Sequence, residues 1–281
     1  MPLLRHHFFT RARPHGPSSL FQPLICSSRS PLLECDYNFH KSNSTYFSDL
    51  DLARSKLISC LLPKYFDTLR NPSKEDRQKG SFSFALGAVT CQFKREIKPY
   101  QKYEMWTRVL SWDRKWLYLV THIVVADRIK PSSYTLQPWK KSSNTPKLLK
   151  IGESTGPTSA ILATSVARYV FKRGRVTIPV DSILTAAGLL PAKPDGPSPA
   201  QTSTLEAKNT TTVSERVTVG NDRTKPSTDI PLKPESGSDK WDWDRIEEER
   251  QTGWKIAQLV AGLDGAHEEF TGDSQPALGK Y

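Results

Sequence analysis

The chain has 281 residues, of which 37% are hydrophobic and 25% charged, with 21 prolines and a formal net charge of +11. The apolar share lies below the usual globular level, so a compact middle with poorly ordered ends is expected rather than one domain filling the whole length. No run approaches the roughly 20 apolar residues that a membrane-spanning helix needs. The four cysteines form no C-x-x-C pair and no metal-ligand spacing, which predicts reduced thiols and no metal site.

The basic excess is concentrated. Residues 31–190 carry a net +12, whereas 241–281 carry −5. Such a field favours anionic partners: phosphate-bearing molecules, acidic carrier domains, acidic lipids or nucleic acid.

In chain order, residues 1–30 read as a disordered leader or the product of a misplaced start codon. Their arginines, serines and lack of acids also suit a mitochondrial presequence, but Pro14, Pro17 and Pro23 interrupt any long amphipathic helix. A cytoplasmic location is therefore expected, with the mitochondrion as the alternative. Residues 31–36 are expected to be extended and lead into the polar loop "CDYNFHKSNS". Apolar residues then recur at Tyr46, Leu50, Ala53, Leu57 and Leu61, which predicts an amphipathic helix starting at Asn43 or Ser44, capped by one of them, and ended by Pro63.

Three strands should follow in "SFSFALGAVTCQFKREI", "YEMWTRVLSWD" and "RKWLYLVTHIVVAD", with a hairpin at Asp113–Arg114. Residues 130–157 lack periodicity. "AILATSVARYVFKRGRVTIPV" reads as a last strand or strand pair, and "DSILTAAGLLP" as a short closing helix. Residues 191–240 are Pro/Ser/Thr-rich and predict a disordered linker. Residues 241–281 predict an acidic amphipathic helix and tail, with Ile246, Gly253, Ile256, Val260 and Leu263 on one face. The pattern describes an α+β domain over residues 31–190, in which one long helix lies across an antiparallel sheet.

The run Asp36-Tyr37-Asn38-Phe39-His40-Lys41-Ser42-Asn43-Ser44-Thr45-Tyr46 resembles the D-x-x-G-H-V-N-N-x-x-Y signature of hotdog-fold thioesterases of the 4-hydroxybenzoyl-CoA thioesterase type. "KREIKPYQKYEMWTRVLSWD" and "RYVFKRGRVTIP" are similar to a fungal branch associated with secondary metabolism. Asp36, His40, Asn43 and Tyr46 match, whereas Phe39 replaces the glycine and Ser42 the first asparagine. The resemblance implies a curved antiparallel sheet wrapped around a central helix, and a homodimer or higher homo-oligomer with its active site between protomers. It implies an acyl-CoA or carrier-bound acyl thioester as substrate and no cofactor.

Thioester cleavage needs a nucleophile or base, relief of charge on the carbonyl oxygen, and a slot for the acyl chain. Asp36 is the candidate nucleophile or base. His40 is read as orienting it, polarising the carbonyl, or holding the loop by a ring hydrogen bond, and Asn43 as completing the set. Backbone N–H groups around Ser42, Asn43, Ser44 and Thr45 would supply the oxyanion site at the positive end of the helix. Phe39 and Tyr46 are candidates for the acyl slot. Lys172, Arg173 and Arg175 could grip phosphate, or could simply form a solvated basic rim.

Asp49 and Asp51 offer an acid on the helix itself, although early-turn charges are expected there in any case. A capped turn or an Asp36–Lys41 pair is the structural alternative for Asp36. A non-catalytic acyl-binding or scaffold protein is the competing reading, raised by the bulk of Phe39. A dehydratase or isomerase that depends on His40 is a third. The basic charge and the tryptophans also invite a nucleic-acid reading, but "WTRVLSWDRKWLYL" alternates as a strand pair whose rings are expected on sheet faces, and no nucleic-acid module matches.

Overall fold

The computed structural model describes residues 16–70, 80–137, 157–191 and 241–267. These belong to one compact unit, and residues 193–240, which contain most of the predicted linker, lie outside the described residues. Strand β1 (Leu24–Arg29) starts inside the stretch assigned to the leader and precedes a single 3-10 turn, Leu32–Glu34, where extended chain was expected. Helix α1 (Asn43–Leu61) follows. Pro63 does end α1, but it also opens a second helix, α2 (Pro63–Arg70). Proline is well suited to a first helical turn, where its missing N–H has no partner to lose.

Strands β2 (Phe82–Phe93), β3 (Lys102–Trp112), β4 (Trp116–Val125), β5 (Ile161–Arg173) and β6 (Val176–Ile178) complete one antiparallel sheet in the order β1-β3-β4-β5-β2, with β6 paired to β5. The β3–β4 hairpin turns at Asp113, whose N–H donates to the Trp116 carbonyl. Helix α3 (Val180–Ala186) closes this part, and α4 (Trp243–Ala261) returns after the linker. The fold class agrees with the hotdog expectation.

Alternation along β3 assigns the two faces. Tyr103 and Met105 pack with Tyr46, Leu50 and Ala53 of α1. Val109 and Trp112 join Leu57, Ile58 and Leu61 with Leu119, Tyr169 and Phe171 further along the sheet. The helix thus runs from the Phe93 end of the sheet towards the Phe82 end, and its apolar stripe is the core.

Helix α4 covers the other face, where Leu110, Tyr118, Val120 and Val166 enclose Ala257 and Val260. Gly253 permits this approach, since a Cβ there would lie 1.8 Å from the Leu110 carbonyl oxygen. The expected inward face of α4 is right for Ile246, Gly253 and Val260. Ile256 and Leu263 are exposed instead, because Ala257 occupies the inward position on that turn. Gly87 sits at the bulge between Leu86 and Ala88, where a Cβ would come within 2.3 Å of the Trp116 ring.

Candidate functional site at the start of helix α1

Residues 35–41 form a tight loop closed by an isolated antiparallel bridge between Cys35 and Lys41. The Asp36 N–H donates to the His40 carbonyl at 3.0 Å, and the Phe39 N–H donates to the Asp36 carbonyl at 3.0 Å. The Asn38 N–H donates to Asp36 Oδ1 at 2.9 Å, an Asx turn. Phe39 carries φ of +58°, the left-handed region. The glycine of the thioesterase pattern falls at this position, so the pattern records a backbone requirement that Phe39 meets under strain. Its ring is 73% exposed and does not fill the interior.

His40 Nδ1 stands 3.5 Å from Asp36 Oδ1, with the two side chains 34% and 28% exposed. The imidazole and Asn38 thus hold Oδ1, and Oδ2 has no partner among the described residues. The anticipated Asp36–Lys41 pair does not form. Lys41 is fully buried, with Nζ 2.5 Å from Glu34 Oε2 and 2.9 Å from Asp49 Oδ2. Tyr103 donates to the same Asp49 oxygen. Burial alone would lower the Lys41 ammonium, but its bonds to Glu34 and Asp49 outweigh that and hold it above its ordinary value. Burial, then the Asp49 bond, pushes Tyr103 up to about 12.

This network stitches the loop to α1 and β3. Lys41 takes the place of the pattern's valine, and its role is invisible in the linear sequence because Glu34, Asp49 and Tyr103 converge only on folding. Asp49 is therefore occupied, and Asp51 is exposed and paired with Arg54 at 2.5 Å. Neither is a free acid on the helix.

Ser42, not Asn43 or Ser44, is the N-cap of α1, and no side-chain oxygen caps the helix. Ser42 Oγ lies 3.1 Å from Ser44 Oγ, and Thr45 Oγ1 donates to the Ser42 carbonyl at 2.7 Å. The Ser42 N–H is used by the Glu34 carbonyl and that of Thr45 by Ser42, whereas those of Asn43 and Ser44 have no acceptor among the described residues. Two unpaired donors thus stand at the positive end of a 19-residue helix. Tyr46 is buried one turn on, its ring edge-on to Phe93 at 5.0 Å.

Lys172 and Arg173 end β5, and Arg175 lies in its turn to β6. The register pairs Arg173 with Phe82 and Ala163 with Phe93, so these cations lie roughly 30 Å along the strands from the Asp36 end of the same chain. Exposed cations towards the Asp36 end include Arg29, Lys98 and Lys102, on segments bonded to the loop through Ser30 and Ile97. Arg29 and Lys102 face each other across β1 and β3. Scattered through separate strand ends, they form no run that a sequence reading would single out.

Residues 31–136 match the family model described as "Thioesterase-like superfamily". The chain is 35% identical over 277 residues to the thioesterase poxG of Penicillium oxalicum, covering 95% of this chain and 76% of that one. It is 31% identical to the probable thioesterase atnL of Emericella nidulans, covering 89% and 71%. Among solved structures, the probable thioesterase YbaW of Escherichia coli aligns with a TM-score of 0.38 at 11% identity, over 59% of this chain and 96% of that one. The chain belongs to the thioesterase-like superfamily, in the class of thioester hydrolases. Its sequence relatives include fungal thioesterases.

Proposed function

We propose that the chain hydrolyses an acyl thioester borne on a pantetheine arm, of coenzyme A or of a carrier protein, using Asp36. The observation that carries this reading is the Asp36 carboxylate: Oδ1 is held by Asn38 and faces His40, Oδ2 is unengaged, and the unpaired N–H groups of Asn43 and Ser44 open the adjoining helix. Asp36 either attacks the carbonyl carbon to give a mixed anhydride or removes a proton from the attacking water. In both routes the carbonyl π electrons move onto oxygen, where the Asn43 and Ser44 donors relieve the charge. The carbonyl re-forms as the C–S bond breaks, and the thiolate leaves with the proton Asp36 took from the attacking water or, in the anhydride route, with a proton from a water molecule. In the anhydride route a water then cleaves the acyl–Asp36 bond.

The acyl chain would pass Tyr46. Phe39, with its ring directed outward, argues against an occluded, merely scaffolding site. The working unit in this reading is a dimer. Strand β2, 12 residues long, has one edge that no strand pairs among the described residues, with Leu86 and Phe93 exposed on the strand, and pairing with a second copy would cover that edge. Tyr37 and Phe39 beside Asp36 are also exposed. Arg29, Lys98 and Lys102 are the candidate contacts for the pantetheine phosphate. Lys172, Arg173 and Arg175 could serve only from a second chain.

Free thiol release from acyl-CoAs of graded chain length, beside acyl groups loaded on a phosphopantetheinyl carrier, tests the assignment. Turnover of at least one series is expected. Absence of thiol release from both would overturn the hydrolase reading.

A further inference from the structure

A cavity of about 730 Å³ lies away from Asp36, between the last turns of α1, strand β1 and the chain following β4. This volume is within the range of roughly 300–1,000 Å³ typical of small-molecule sites. It opens along the edge of β1 that no strand pairs among the described residues. Leu24, Cys26, Leu57 and Leu61 give it an apolar floor, and Ile129 and Leu136 give it a roof. The unpaired main-chain groups along β1 add hydrogen-bonding capacity to one wall.

Lys56 is the informative residue. It lines the cavity and is half-buried, and it has no carboxylate partner among the described residues. Its ammonium is close enough to the Cys26 and Cys60 thiols to oppose the upward push that burial gives them. Two carboxylates, Glu104 and Asp127, also line it, and neither pairs with Lys56. Glu104 accepts from Trp106 Nε1 at 3.1 Å, and Asp127 begins the loop that forms the roof. Lys130 adds a second cation on the same loop. A trough of mixed polar and apolar lining, with a lysine that has no carboxylate partner among the described residues, fits an amphipathic anion with one charged end.

We propose that this cavity binds a free carboxylic acid with an aliphatic or aromatic tail, the carboxylate at Lys56 and the tail between Leu24, Leu57, Leu61 and the roof. Such an acid is the product class of thioester hydrolysis, but the site does not depend on that reading. Lys56 lies thirteen positions after Asn43, the start of α1, some 20 Å along the axis, so the two sites can be occupied together.

Sodium decanoate and decanol, titrated into the purified full chain with intrinsic tryptophan fluorescence and calorimetry as readouts, test the proposal. Decanoate should bind more tightly than decanol. Lys56→Met should weaken decanoate by about ten-fold and leave decanol unchanged. Asp36→Asn should leave both unchanged, so failure here and failure of the hydrolase reading are separable. Decanoate should also slow alkylation of Cys60. The proposal is overturned if decanoate fails to bind at millimolar concentration, if Lys56→Met binds it as the native chain does, or if binding disappears with Asp36→Asn.

Discussion

Lys41 Nζ lies 2.9 Å from Asp49 Oδ2, so a buried ammonium couples the loop carrying Asp36 to the second turn of α1. Removing the cation would leave Glu34 and Asp49 facing each other without compensation. Lys41→Met should therefore destabilise the fold by about 3 kcal/mol or more in urea unfolding. Adding Asp49→Asn should recover part of that loss. Equal stability of Lys41→Met and the native chain would show that the network is dispensable.

Phe39 holds a left-handed backbone at φ of +58°. Phe39→Gly should stabilise the chain by about 0.5–1 kcal/mol, the relief of strain exceeding the extra chain entropy of glycine. Phe39→Ala keeps the strain and removes only the exposed ring, so its stability should stay near native. A gain from alanine equal to that from glycine would place the strain in the ring rather than the backbone.

Gly253 sets the docking of α4. Gly253→Ala drives a methyl into the Leu110 carbonyl, and neither backbone can yield cheaply. Loss of about 2–4 kcal/mol is expected, with hydrogen exchange of α4 rising above that of the sheet. Native-like protection of α4 in this variant would contradict the packing described.

Stability should fall on the alkaline side in two stages. Burial pushes Cys60 up to about 12 from 9.0, and Tyr46 and Tyr103 up to about 12 from 10.0. A raised folded value favours the protonated form in the native state, so the contribution is complete below the unfolded value and lost as pH climbs to the folded one. Urea midpoints should hold up to about pH 9 and decline from there to about 12. Burial raises Cys26 and Cys91 as well, so Cys60→Ala should make the decline between about pH 9 and 10 shallower without abolishing it, and a midpoint unchanged to pH 11 would refute the assignment.

Much of the fold was legible in the sequence because period and punctuation carried it. The 3.6-residue spacing from Tyr46 to Leu61 gave α1, and alternation with the Asp113 turn gave the β3–β4 hairpin. Strand β1 was hidden because "LICSSR" is short and half polar, as suits an edge strand. Helix α2 was hidden because Pro63 can both stop one helix and start another. At the site, Asp36, His40 and the helix start were legible as a contiguous motif. The Lys41 network and the cations Arg29, Lys98 and Lys102 join residues up to about 70 positions apart, and no local spacing announces them.

The account turns on the Asp36 carboxylate. Steady-state thiol release by Asp36→Asn, measured beside the native chain with melting curves to show that both are folded, is the direct measurement. The asparagine keeps the loop's shape but can neither attack nor take a proton, so kcat should drop by about 100-fold or more while KM stays within a few-fold. A folded Asp36→Asn protein that turns over thioester at the native rate would contradict the assignment.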